Sequence, residues 1–309
     1  MLSVELARMP LRVLLSAILL MVVAANTFAV ESSSVPQARV TIAVLDFGQS
    51  AFGRQVADTV ADALKKETGV VVLDRDQVRS AARGGEYSGS LNMSLTEARN
   101  LGAVLGSDFF VIGDANTFRR SPSTGPLYFD SFASLLIVSA RTGRLVRWDR
   151  PNFSAASPAK AEQALLAYFS TGQQKPSYID SIHRAQNDER SDRAVIEADH
   201  DVPLIESAPD DDKTAAAEGL QLPRPFRRLV PPYPEAAAQG DIEAIVDVLV
   251  DLDVAGEVMR VEVARWAGFG LDESTVETVR RLHFFPALRN GTAVPIRVLL
   301  RYNFRKPKQ

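Results

Sequence analysis

A chain of 309 residues, 46% hydrophobic and 24% charged, is ordinary in composition and long enough for about two packed domains. A net charge of -3, with no Lys/Arg tract interleaved with aromatics, argues against nucleic acid as a partner. With no cysteine, the chain cannot form a disulfide, a thiolate metal site or a lipid-modified cysteine.

Arg8 and Arg12 precede an apolar run from Val13 to Ala25, and Thr27-Phe28-Ala29 has small residues where a signal peptidase reads. Residues 1–29 are expected to be a cleaved signal peptide, which implies a periplasmic protein. The alternative is an uncleaved inner-membrane anchor over residues 11–30, about the length that spans a bilayer, with the rest of the chain facing the periplasm.

Arg39 to Phe47 is almost continuously apolar, as suits a strand buried on both faces. Phe52, Val56, Val60, Ala63 and Leu64 recur at helical spacing, and Gly69 closes that helix region. A second buried strand over Val70 to Leu73 and a short helix from Gln77 follow. Gly84 to Ser90 reads as a loop. Ser94-Leu95-Thr96-Glu97 is a capping box for a helix whose apolar face is Leu95, Ala98, Leu101 and Leu105. Asp108 to Ile112 is a third strand, Phe132 to Arg150 a hairpin around Arg141-Thr142-Gly143-Arg144, and Pro158 to Phe169 a last helix. This order predicts an α/β domain with a mixed sheet over residues 38–175.

Residues 176–222 are expected to be an acidic, disordered linker. Within residues 183–218, eleven Asp or Glu stand against four Lys or Arg, giving -7 with no aromatic residue. Beyond it, residues 223–309 order again. Pro234 at helix N1 and Gly240 at its end bracket a short helix. Ala244, Val246, Val248, Val250 and Leu252 share one strand face, with Asp247 and Asp251 on the other. Asp253 to Gly256 turns the chain into a second strand, Glu257 to Ala264. Asp272 is placed to cap a helix striped by Val276, Val279 and Leu282. In the last strand Ile296, Val298, Leu300, Tyr302 and Phe304 face in, and Arg297, Arg301 and Arg305 face out. The result is a small α+β domain with an antiparallel sheet, one face of it solvated.

Tyr233-Pro234, the Asp253-to-Gly256 turn, Leu271-Asp272, Phe284-Phe285-Pro286-Ala287 and Gly291 follow the order and spacing of the TonB C-terminal domain family. Residues from about 224 to 305 resemble that family. Ala244 stands where it usually has Gly, and Arg265-Trp266-Ala267-Gly268 replaces its usual Ser-Ser-Gly. A weaker resemblance links residues from about 38 to 170 to CsgG-like and TolB N-terminal-like α/β domains. It rests on Ile42 to Phe47, Val72-Leu73-Asp74-Arg75, Leu101-Gly102 with Gly106-Ser107-Asp108, and Ile137 to Val146. The pair of amphipathic hairpins that a pore needs is not visible.

Asp46, Asp74 and Asp76 lie at strand ends where α/β sites form, but capping and turn chemistry is favoured over metal binding, since no His accompanies them. His183 and His200 fall in the acidic stretch, read as a solvated charge run. His283 ends a helix, where a cation suits the macrodipole. Gly268-Phe269-Gly270 lacks the third glycine of a dinucleotide fingerprint. No catalytic residue, metal site or cofactor is expected, and the protein is read as a non-enzyme.

The TonB resemblance implies that an extended partner segment pairs onto the edge of the last strand, by strand addition. The residues expected to meet it are Arg297, Leu299, Arg301, Asn303 and Arg305. The three arginines would suit an acidic segment of an outer-membrane or periplasmic protein. Equally, they would protect a bare edge from aggregation. Proline at Val298 is expected to abolish such pairing by removing a ladder donor. Domains of this family can also intertwine, so self-association stays open. The leading expectation is a periplasmic binding or adaptor protein whose two domains engage separately across the linker. The alternatives are a TonB-type energy transducer, if residues 11–30 are an anchor, and an envelope assembly or secretion factor working through the CsgG-like domain.

Overall fold

Strand β1 (Val40–Phe47) forms where the sequence is apolar on both faces, and it runs parallel to β2 (Val70–Val72) and β4 (Phe109–Arg120). These residues belong to a computed structural model that describes residues 39–171, 175–198, 205–209 and 211–306. The expected signal or anchor lies outside them. β5 (Tyr128–Ser139) pairs antiparallel with β4, and both β6 (Leu145–Asp149) and β7 (Asn152–Ala155) pair antiparallel with β5. The sheet order is β2-β1-β4-β5-β6, the mixed sheet that the sequence predicts. β4 outruns its apolar stretch, because its second half rises into solvent while its pairing with β5 continues to Arg120.

Helices α1 (Ala51–Leu64) and α4 (Pro158–Thr171) pack on one sheet face, over Val40, Ile42, Val44 and Phe47. Helices α2 (Arg75–Gly84) and α3 (Leu95–Leu105) cover the other, over Ala43 and Leu45. Their starts are fixed locally. The Asp74 side chain accepts the Asp76 and Gln77 amides, and the Ser94–Glu97 capping box is closed in both directions.

The disordered linker expected over residues 176–222 needs correction. Helix α5 spans Lys175–Ala198, and Tyr178, Ile179 and Ile182 are buried against the core beneath α1 and α4. The Tyr178 hydroxyl donates to Asp149 Oδ2 at 2.5 Å, and the Glu189 carboxylate accepts from Arg141 and from Ser139 Oγ. Average acidity hid an apolar stripe at helical spacing, which meets the core while the charges face outward. Downstream, α6 (Asp212–Ala217) forms and β8 (Leu220–Gln221) pairs with β13 (Ala287–Arg289). His200 lies outside the described residues. No helix among the described residues is long and apolar enough to cross a membrane.

The second domain follows the expected order. Helix α7 (Glu235–Gln239) has Pro234 as its N-cap, one position before the expected N1. β10 (Ala244–Leu252), β11 (Val258–Trp266), α8 (Leu271–Val279) and β15 (Ile296–Phe304) come next. β9 (Arg224–Pro225) pairs with β12 (Phe284–Phe285), and β13 with β14 (Thr292–Val294). Asp272 does not cap its own helix as expected. The N-cap is Gly270, at φ 79°, and the Asp272 carboxylate instead accepts the Ala267 and Gly268 amides at 2.8 and 2.9 Å. Burial pushes its carboxyl up to about 7 against the pull of those two donors.

The antiparallel sheet here has the order β15-β10-β11-β3, and β3 (Met93–Ser94) comes from the first domain. The two domains therefore share a sheet, and they share a core as well. Buried Ala98, Leu101 and Val138 belong to one apolar cluster with Val248, Trp266, Phe269 and Leu271. The Asn92 amide donates to Ile245 O at 2.8 Å and to Trp266 O at 2.6 Å, and its oxygen accepts the Ile245 amide at 3.0 Å. The Trp266 indole donates to Gly143 O at 2.8 Å, and Trp148 packs on Phe269. Arg265–Glu97 and Arg144–Glu262 ion pairs flank the junction. Separate engagement of two tethered domains is corrected to one docked unit.

Candidate partner-binding edge

β15 alternates apolar and polar residues because one face lies on a core and the other does not. It pairs with β10 without a bulge, from Ala244↔Phe304 to Leu252↔Ile296. On the inner face Val246, Val248 and Val250 oppose Tyr302, Leu300 and Val298. On the outer face Asp251 opposes Arg297, Leu249 opposes Leu299, Asp247 opposes Arg301, and Ile245 opposes Asn303.

The outer face is a set of bidentate ion pairs. Arg297 donates from Nε and Nη2 to Asp251 at 2.5 and 2.8 Å, and Arg301 likewise to Asp247 at 2.7 and 2.9 Å. Arg265 lies 3.5 Å from Asp247 on its other side. Each pairing raises the arginine's pKa, through its carboxylate hydrogen bonds first. The three free cations expected for an acidic partner are thus reduced. Arg297 and Arg301 are already neutralised by carboxylates of this chain, and Arg305, just past β15, has no side-chain partner among the described residues.

The backbone directions matter more than the charges. The Arg297 amide donates to Glu206 O at 2.8 Å, and Arg297 O accepts the Ala208 amide at 2.7 Å. Both groups point away from β10, so Arg297↔Asp251 is a non-hydrogen-bonded pair of that ladder. Antiparallel alternation then aims the backbone of Leu299, Arg301 and Asn303 outward too. None of these finds a partner among the described residues. Residues 206–208 act as a short strap along the edge, bridging parallel at Ser207↔Arg297 and anchored by Glu206 to Arg289 at 2.7 Å. Val298, by contrast, turns its amide toward β10. Proline there would break the domain's own ladder, so the edge test belongs at Leu299.

The family model for the Gram-negative bacterial TonB protein C-terminal matches residues 230–305. These residues form a TonB C-terminal domain. Among solved structures, the TonB C-terminal domain of Pseudomonas aeruginosa matches at 23% identity over 28% of this chain and 89% of its own, with a TM-score of 0.25. Lipoprotein GNA1162 of Neisseria meningitidis matches at 14% identity over 47% of this chain and 99% of its own, with a TM-score of 0.31. The LpoB C-terminal domain of Salmonella enterica matches at 12% over 37% and 82%, with a TM-score of 0.27. No protein of curated function matches the chain.

Within the TonB C-terminal domain, the departure at Arg265-Trp266-Ala267-Gly268 has a structural role. Arg265 and Trp266 pair with Ser94 and Met93, and Trp266 is the indole buried at the junction. A tryptophan where the family has a small polar residue was the available signal for this docking. The domain junction also borders a cleft of about 550 Å³ between β6, β11 and α8.

The other sequence candidates are engaged in structure. Asp46 lies between Arg75 at 2.5 Å and Arg79 at 3.2 Å, Asp74 caps α2, and Asp76 pairs with Arg79. Among the described residues no group of three His, Asp or Glu is set to hold a metal ion. His283 Nδ1 lies 2.9 Å from Glu257. Gly268 and Gly270 adopt positive φ in the loop before α8.

Proposed function

We propose that this is a non-catalytic periplasmic adaptor whose TonB C-terminal domain docks an outer-membrane or envelope protein by strand addition to β15. What carries the reading is the row of outward backbone groups at Leu299, Arg301 and Asn303. The neighbouring Arg297 already takes an extended segment, residues 206–208, along the same edge. Each added backbone bond stabilises by about 1 kcal/mol net, and side chains at alternate positions supply selectivity. The partner meets Leu299, Arg301 and Asn303, with Arg305 as the remaining cation. The TonB C-terminal domain supports an envelope location.

The docked first domain moves with this edge as one body, which favours an adaptor that holds two partners in fixed geometry. A crosslinking side chain at Asn303, introduced in a Gram-negative host, tests the reading. Capture of an outer-membrane protein, lost when Leu299→Pro is added to a still-folded chain, is the expected result. Unchanged capture by the proline variant would exclude strand addition at this edge.

A further inference from the structure

The short pairing of β9 with β12 presents a surface that strand addition does not use. Phe226 and Phe285 are 59% and 60% exposed, and their rings lie 4.4 Å apart, centroid to centroid. They are held in place. Phe285 pairs with Arg224 in the β9–β12 ladder, and the Phe226 amide donates to His283 O at 2.9 Å. Two rings fixed against each other in water keep a large apolar area exposed, unlike single scattered apolar side chains.

Arg224, Arg227 and Arg228 adjoin these rings in the sequence and in the β9–β12 pairing, all exposed, and none of their side chains has an ion-pair or hydrogen-bond partner among the described residues. Elsewhere Arg75, Arg79, Arg141, Arg144, Arg289, Arg297 and Arg301 each face a carboxylate. Glu257 is bonded to His283, whose ring is 6.5 Å from Phe226, so that carboxylate already has a partner. The patch is therefore locally cationic on a chain of net charge -3.

We propose that this patch is a membrane-contact surface, with the Phe226 and Phe285 rings entering the interfacial layer of an anionic phospholipid membrane. The guanidinium groups of Arg224, Arg227 and Arg228 lie on its phosphates. Guanidinium matches phosphate geometry, and unpaired arginines reach it without breaking an internal ion pair. Phenylalanine carries no hydrogen-bonding group, so its rings enter an apolar layer without leaving a polar atom unsatisfied. The rings already pack on each other, which closes the gap that a nucleic-acid base would need for stacking between them.

The test is co-sedimentation with vesicles, using the chain from residue 30 onward. It keeps the compact unit Arg39–Gln309 and removes the apolar N-terminal segment, which would bind lipid by itself. Vesicles of phosphatidylcholine with roughly one-third phosphatidylglycerol should bind the chain at least about tenfold more tightly than phosphatidylcholine alone. Arg227→Glu with Arg228→Glu should weaken binding by at least about 25-fold, roughly fivefold for each arginine removed. Phe226→Ala with Phe285→Ala should abolish it. Both arginines of the pair are exposed and without a side-chain partner among the described residues, so their substitution should leave the fold intact and the charge arm stands even if the phenylalanine variant unfolds. Absence of binding, or equal binding to both vesicle types, would overturn the proposal. So would a dimer in solution that dissociates on the phenylalanine substitutions, because the rings would then be a self-interface. Tight binding of single-stranded nucleic acid through the same arginines, without vesicle binding, would overturn it too.

Discussion

Replacing Asn92 by alanine should weaken the docking of the two domains without removing any side chain from the core they share. The Asn92 side chain makes three hydrogen bonds, all to backbone of the TonB C-terminal domain: two to Ile245 and one to Trp266. At about 1 kcal/mol net for each bond, their loss costs about 3 kcal/mol of docking energy. That shifts the docking equilibrium on the order of a hundredfold. The chain has two tryptophans, and both lie at the junction, Trp148 against Phe269 and Trp266 against Gly143. Tryptophan fluorescence therefore reports docking, and far-UV circular dichroism reports secondary structure. In urea, the parent should lose both signals together. In Asn92→Ala the fluorescence midpoint should fall first, ahead of the dichroism. Coincident midpoints, within about 0.5 kcal/mol of the parent, would show that water replaces the Asn92 bonds at no cost and would refute the argument.

Gly143→Ala should cost at least about 2 kcal/mol in a urea titration, because Gly143 has φ +72° and its new Cβ would lie 2.2 Å from Leu95 O. Asp272, raised to about 7 from 3.8, favours the folded state fully below pH 3.8, and that contribution is lost as pH rises through 7. Stability should therefore increase by up to about 4 kcal/mol on acidification from pH 8, a slope that Asp272→Asn removes. The same substitution should lower stability at pH 5, because an amide nitrogen would face one of the Ala267 and Gly268 donors. Arg301→Met leaves Asp247 buried beside Arg265 alone and should cost about 2 kcal/mol by thermal unfolding. The double variant Arg301→Met with Asp247→Leu should recover most of it.

Strand and helix order was legible wherever one residue type repeats at one period. The apolar run before Phe47 gave β1, and Ser94 with Glu97 located the start of α3. The alternation from Ile296 to Phe304 gave both faces of β15. Elements governed by distant contacts were not legible. Helix α5 was hidden because residues 176–222 were judged by mean charge, while its ordering depends on Tyr178, Ile179 and Ile182 meeting a core that local sequence does not display. The junction was hidden for a related reason. Asn92 falls between the Gly84-to-Ser90 loop and the Ser94 capping box, Trp266 reads as a family departure, and only the fold brings them together, 174 positions apart. At the edge, residues 297, 299, 301, 303 and 305 could be named from alternation. That Asp247 and Asp251 neutralise two of the arginines depends on the β10–β15 register, which alternation alone does not supply.

The β10–β15 ladder also sets how the molecule bears a pull. Nine residue pairs run in continuous register from Ala244↔Phe304 to Leu252↔Ile296, so tension along the last strand loads the ladder in shear, across many bonds at once. The β3–β11 pairing has two residue pairs, Arg265↔Ser94 and Trp266↔Met93. Tension between the first domain and β15 therefore concentrates there, where bonds are few and can open one after another. Under such a load the two-pair β3–β11 junction should open before the nine-pair β10–β15 ladder does.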